Sequence, residues 1–294
     1  MHPQNPSTCT QPWEALRADS LGWLLDQGRP NLHWRVLVDL VGRPADSPAV
    51  RRARGGANAA EPVAGLLADL HPNGEWATRE PTWKRDTGPG WRLVAAVQWG
   101  ADPEDPRLHA ASERVLDTAP GDGGLSRSTN ARPDPQLTSR ALETMIALGW
   151  LKHPRVQEWL AWFEATDDWH DDPVVCAAVL GSAAGRETLS ESAVGGITRA
   201  LTRARGDLRN PAHPNLERTD LAEILAGLAS AGIRWRPDWR TGLADLQALQ
   251  DDRGRWSADR PEASPWVTLK ATKALLTYAV DAGLPRFFPY PPGH

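Results

Sequence analysis

One pattern limits what this 294-residue chain can become: an apolar helix, a glycine corner, a proline, then a more charged helix, written several times over. LVAAVQWGADPEDPRLHAASERVL and TMIALGWLKHPRVQEWLAWFEA share that layout, and AEILAGLASAGIRWRPDWRTGLADLQAL is a third copy. Apolar residues fall three and four apart, as in Leu93, Val94 and Val97 or Leu221, Ile224, Leu225 and Leu228, which is the period of a helix face. The breaks at Gly100–Pro106, Gly149–Pro154 and Gly232–Pro237 each end one helix at glycine and open the next near proline. Short alternating runs of the kind that make strands are nearly absent. Helix pairs recurring every roughly 40–50 residues build either an open solenoid or a closed ring. The first helix of each pair is small and apolar, as an inner helix must be, and the second carries a charged face for the outside. The expected fold is all-α, one domain over residues 21–280, with a polar, partly ordered tail at 1–20 and a Pro-rich tail at 281–294.

The ends of the pairs narrow the choice. Gln250-Asp251-Asp252-Arg253-Gly254-Arg255-Trp256 closes one hairpin, and Leu70-His71-Pro72-Asn73-Gly74-Glu75-Trp76 closes another with leucine in place of glutamine. Glycine permits the tight reversal, tryptophan covers the hairpin end, and a side-chain amide can satisfy open helix-terminal groups. Gln-x₃-Gly-x-Trp at such a corner resembles the QW repeat of the squalene-hopene cyclase and prenyltransferase-like superfamily. Trp23 to Tyr278 as a whole looks like a bacterial branch of that superfamily with unassigned activity. WLLDQGRPNLHWRVLVDLVGRP, GADPEDPRLHAASERVL, LGWLKHPRVQEWLAWF, TDLAEILAGLASAG and QDDRGRWSADRPEASPWVTLKATKALL carry the likeness. The resemblance implies an α/α toroid, a closed ring of inner and outer helices, and an activity on an isoprenoid or similarly apolar molecule. That branch usually has further Cys and Gly residues in its inner helices, where this chain has Thr138-Ser139-Arg140 and a lone Cys176.

Composition removes several function classes. Net charge is −4, and the arginine clusters at 51–54 and 199–205 fall at expected helix ends, so no basic footprint for nucleic acid is present. Leu269–Val280 is interrupted by Lys270 and Lys273, short of a membrane span. Two cysteines and no apolar leader suit a cytoplasmic chain. The distinctive count is 15 Trp against 3 Phe and 2 Tyr, a payload for a core, an apolar cavity or a cation-stabilising wall.

The chemistry is less constrained. No Asp-x-Asp-Asp occurs, so protonation-initiated cyclisation in its usual form is disfavoured. Asp167-Asp168-Trp169-His170-Asp171 fits an Asp-Asp-x-x-Asp Mg²⁺ site, but it falls at a repeat corner without a partner motif. Zinc would need Asp, Cys and His ligands converging. Cys176 sits in an apolar stretch, His213 in a Pro-rich loop, and no Asp-x-Cys pair exists. No cofactor is therefore expected, with Mg²⁺ as the alternative.

Polar residues at the starts of inner helices are the better candidates, because they open toward the middle of a ring. Asp86, Asp220 and Glu223 are the candidate acid–base groups. Lys84, Arg85, Arg140, Glu143 and Lys270 are candidates for holding a polar end of a ligand, and Trp83, Trp91 and Trp266 for walling a cavity. Plain protein chemistry also accommodates them: Asp220 as a first-turn acid and Arg140–Glu143 as an i,i+3 pair. The expected partner is a small apolar molecule. The rival expectation is a non-catalytic HEAT-like repeat module that binds a protein or senses a ligand.

Overall fold

The computed structural model describes residues 8–84, 87–117, 123–127, 131–165, 195–196, 198–199 and 209–287. Among these residues there is no strand, only isolated bridges joining Thr8 to Pro285 and Leu70 to Trp76. The helices used below are α1 Ser20–Leu25, α2 Pro30–Asp39, α3 Pro48–Gly55 and α4 Val63–Leu67. They continue with α5 Pro89–Gln98, α6 Pro106–Asp117, α7 Pro135–Ala147 and α8 Pro154–Ala165. After the 209–220 segment come α9 Leu221–Ser230, α10 Arg240–Ala248 and α11 Ser264–Tyr278.

The sequence punctuates these helices as expected. Pro30, Pro48, Pro89, Pro106, Pro135 and Pro154 each open a helix, where the missing N–H removes nothing from the ladder. Side chains of Asp134 and Asp220 accept from Leu137 N and Glu223 N, so each caps the helix that follows it. Glycines with left-handed backbone stand at all three expected breaks, Gly100, Gly149 and Gly232. Along α9 and α11 most residues are buried, whereas α6 and α10 bury one stripe. One continuous apolar core runs through Leu24, Leu32, Trp91, Leu142, Leu225 and Leu275.

The two Gly-x-Trp corners are built from the same bonds. Trp76 Nε1 donates to Leu66 O at 2.9 Å, and Trp256 Nε1 donates to Leu246 O at 2.7 Å, ten residues back in each case. His71 N donates to Glu75 O, and Asp251 N to Arg255 O, both at 2.8 Å. Gly74 and Gly254 have φ of 81° and 77°, which L side chains rarely adopt. A Cβ on Gly74 would stand 2.3 Å from the backbone of Ala110–Ala111, so α6 packs directly on that corner. A third corner keeps part of the plan: Leu125 N donates to Thr138 Oγ1 as Trp256 N donates to Thr268 Oγ1.

The first and last described segments meet. Cys9 N donates to Leu284 O at 2.9 Å and Phe287 N to Glu14 O at 3.0 Å. Gln250, the glutamine of the QW-like corner, accepts from Arg17 N at 2.9 Å, and Ser20 Oγ donates to Gly254 O. Helix α11 packs against both α1 and α2. Residues 8–20 and 281–287, read from the sequence as parts of tails, thus lie on the body, with Cys9, Ala15 and Leu284 in the core. No helix among the described residues is long and apolar enough to cross a membrane.

Candidate functional site

Helices α7, α9 and α11 deliver charge to one place. Arg140, early in α7, has no exposed surface at all. Its Nη1 donates to Glu223 Oε1 at 2.8 Å and to Glu143 Oε2 at 3.2 Å. Its Nη2 donates to Glu223 Oε2 at 3.1 Å and to Arg218 O at 3.0 Å, and its Nε donates to Leu216 O at 3.3 Å. Glu223 also accepts from Asn215 Nδ2 at 2.7 Å and from Thr219 Oγ1. A buried ion pair is tolerable only when its remaining donors and acceptors are satisfied in this way.

The environments push the carboxyls apart. Burial alone would raise Glu223, but the Arg140 and Lys270 charges and the hydrogen bonds outweigh it and hold Glu223 below the usual range. Burial raises Glu143, and the Glu223 charge adds to this against the pull of Arg140 and Lys270. Burial likewise raises Asp220, with Lys270 opposing and Glu223 reinforcing. Asp220 is fully committed as a cap: Oδ1 accepts from Glu223 N and Oδ2 from Ala212 N, both at 2.8 Å.

The loop before α9 is locked to α5 as well. Asn215 N donates to Gln98 Oε1 at 2.6 Å, and Gln98 Nε2 donates back to Asn215 O at 3.0 Å. Two residues earlier in that loop the character changes. His213 is 2% exposed, and neither ring nitrogen has a hydrogen-bond partner. Its ring lies flat on Trp266, centroids 5.0 Å apart and planes 5° apart, and edge-on to Trp99 at 4.5 Å. Burial, reinforced by the Lys270, Arg260 and Arg35 charges, outweighs an opposing interaction with the Gln98 backbone and holds its pKa well below the ordinary imidazole value, so it is neutral. Trp266 Nε1 and Asn215 Oδ1 are unpartnered too.

An open cleft of about 590 Å³ adjoins this centre, lined by Trp91, Trp99, Pro214, Leu216, Arg218 and Arg260 among others. Trp99 and Pro214 bound His213 on one side and the cleft on the other. The same loop that Arg140 holds by its 216 and 218 carbonyls is therefore the wall between lattice and cleft.

The structure brings together Arg140, Glu143, Asp220, Glu223, Trp266 and Lys270, while other expected residues lie elsewhere. Lys84 is exposed at the surface. Trp83 stands edge-on to Trp91 at 5.9 Å and against Gly90, and only Trp91 of the two lines the cleft. Arg140 cannot hold a ligand's polar end, because its guanidinium is consumed by protein carboxylates and carbonyls. Arg85, Asp86, Asp167, Asp168, Asp171 and Cys176 lie outside the described residues. Among the described residues no cluster of His, Cys, Asp or Glu is placed to hold a metal. Sequence reasoning missed Gln98, Trp99 and Asn215, and weighed His213 only as a distant metal ligand. The signal was the Pro-flanked run Pro211-Ala212-His213-Pro214-Asn215 directly ahead of a capped apolar helix, a rigid loop suited to the interior.

No protein-family model matches the chain, and no curated protein is significantly similar to it.

Proposed function

We propose that the chain closes into an α/α toroid of the terpenoid-cyclase and prenyltransferase type, and that its centre binds a small, largely apolar molecule of isoprenoid size. Closure is supported by the packing of α11 on α1 and α2 and by the bonds from Gln250 and Gly254 to the first turn of the chain. The observation that carries the binding reading is the convergence itself. Side chains from α7, α9 and α11 meet beside a cluster of three rings, with His213 stacked on Trp266 and Trp99 edge-on to both, next to a cleft walled by Trp91 and Trp99. Pockets for small molecules are mostly apolar and aromatic, with a few placed polar groups.

Chemistry in such a site falls to a limited set of groups. Glu223 is held as a carboxylate and Asp220 is consumed as a cap, so neither is free to give up a proton.

The test is a titration of intrinsic tryptophan fluorescence with farnesol and with farnesyl diphosphate, each with and without Mg²⁺. Saturable quenching is expected, weakened at least about tenfold in Trp99→Ala, a loss typical of a large aromatic contact. Absence of saturable change with either compound, in either condition, overturns the reading.

A further inference from the structure

The loop that walls the cleft is held unevenly along its length. From Asn215 to Asp220 it is fastened by the paired Gln98 bonds, by Arg140 at the 216 and 218 carbonyls, by Gln136 at the 217 carbonyl and by the Asp220 cap. Upstream, Arg209 reaches Asp245 at 2.6 Å. Between these anchors, residues 210–214 are held by two hydrogen bonds among the described residues. Ala212 N donates to Asp220 Oδ2 at 2.8 Å, and Arg260 Nη2 donates to His213 O at 2.9 Å. The rest of the hold is the His213 ring in its slot, flat on Trp266 and edge-on to Trp99. That slot suits a neutral ring. Arg260 stands at the His213 carbonyl, Lys270 of α11 and Arg35 of α2 add positive charge, and α5 presents the uncharged Trp99 and Gln98. The acids that follow in the chain are occupied: Asp220 accepts from the Ala212 and Glu223 amides, and Glu223 from Arg140, Asn215 and Thr219. The Gln98 backbone favours the charged form but falls short of a hydrogen bond. The Trp266 face would attract a cation, yet both N–H groups of an imidazolium would be buried without acceptors.

We propose that His213 is an acid-operated latch: protonation expels its ring from the Trp99–Trp266 slot, swings residues 210–214 outward and opens one wall of the cleft. A ring swung into water regains the ordinary imidazole value near 6.5, whereas the docked ring resists the proton. Opening is therefore favoured about tenfold for each pH unit below that value. The swing breaks the two bonds of the arm and no more, since Asn215 stays clamped to Gln98 and Glu223. Local openings of this kind fall where few bonds hold a segment between firm anchors. Pro214 and Trp99 both line the cleft, so the movement withdraws one and uncovers the other. The latch stands on the bonds of the loop itself. Release of an occupant by it rests on the reading that the cleft holds a small apolar molecule.

The experiment follows amide hydrogen exchange of the full chain from pH 7.5 to pH 5, expressed as protection factors so that the intrinsic pH dependence of exchange cancels. Ala212 N–H reports the arm. Asn215 N–H reports the clamp, and Glu223 N–H, which shares the Asp220 carboxylate with Ala212, reports any change in Asp220 itself. Protection at Ala212 should fall about tenfold per unit below pH 6.5, while Asn215 and Glu223 keep theirs. In His213→Phe, which retains a ring for the slot and cannot take a proton, Ala212 protection should be level across the range. The wild-type comparison of the three amides decides the matter even if that variant does not fold. Unchanged protection at Ala212 overturns the latch. Equal loss at all three amides overturns it too, since the whole loop would then be unfolding, as does an undiminished pH response in His213→Phe. Farnesol affinity, measured alongside, should weaken in proportion to the closed fraction. If Ala212 opens while farnesol keeps its affinity or does not bind at all, the latch stands and the placing of an apolar molecule against this wall falls.

Discussion

His213 and Asn215 are two residues apart in one loop, yet they belong to opposite kinds of interior. Asn215 enters a lattice in which the Arg140 guanidinium and both Glu223 oxygens are bonded, whereas His213 enters a stack of rings that leaves both its nitrogens idle. The lattice fixes the loop to α5, α7 and α9, and its charged groups are all bonded within it. The stack contributes apolar packing and keeps its polar atoms in reserve. Burial is equal in the two places, and they differ in how fully their polar atoms are bonded.

The largest effect expected from breaking this contrast is on the lattice. Arg140→Met leaves Glu223 buried without its counter-charge, and should lower unfolding free energy by about 3–5 kcal/mol in urea titrations. A loss under about 1 kcal/mol would mean that the lattice and the stack contribute alike.

Acid separates the two regions by pH window. His213 is neutral when folded and takes a proton near its ordinary value of 6.5 when unfolded, so the unfolded state binds more protons below that point. Stability is fully present above about pH 6.5 and falls by up to about 1.4 kcal/mol per unit below it. Glu223 acts lower: its depressed value gives stability that is present above its ordinary 4.5 and is lost only as pH falls beneath that. Asp220 and Glu143, held above their ordinary values, work in the opposite direction in the mildly acid range. Subtracting the melting profile of His213→Phe from that of the wild type isolates the imidazole. The destabilisation between pH 6.5 and 5 that this difference isolates should be absent from the variant, which keeps only the carboxyl contributions.

The smallest effect is the most telling. At pH 7.5, His213→Phe removes two unsatisfied nitrogens and keeps the ring contacts, so its melting temperature should match or exceed that of the wild type, by up to about 1 kcal/mol in stability. A large loss would show that the imidazole has a structural partner.

Much of the scaffold was legible. The Gly-then-Pro breaks appear at Gly100, Gly149 and Gly232, and Asp220 caps α9 as a first-turn acid should. The Arg140–Glu143 pair also forms, because i,i+3 neighbours depend only on helix geometry. The Glu223 contact to Arg140 does not follow from spacing, since it joins helices 83 residues apart through a loop with no periodicity. The same applies to Gln98 and Asn215. Lys84 is exposed in the turn before α5, a placement that a helix-start argument cannot detect. The Leu70 corner kept its fold without the glutamine, because the tryptophan-to-carbonyl bond and the glycine carry the reversal. Gln250 is used for a different purpose, receiving the first residues of the chain.

Those joined ends have a practical corollary. Residues 9 and 284 share a backbone hydrogen bond, while residues 41–46 form an exposed loop far from the Arg140 lattice in sequence. A short flexible bridge across the former and a cut in the latter would give a circular permutant with α1 to α11 intact. The order in which the hairpins are written is then separable from the way they pack, and each could be placed first or last in a fusion.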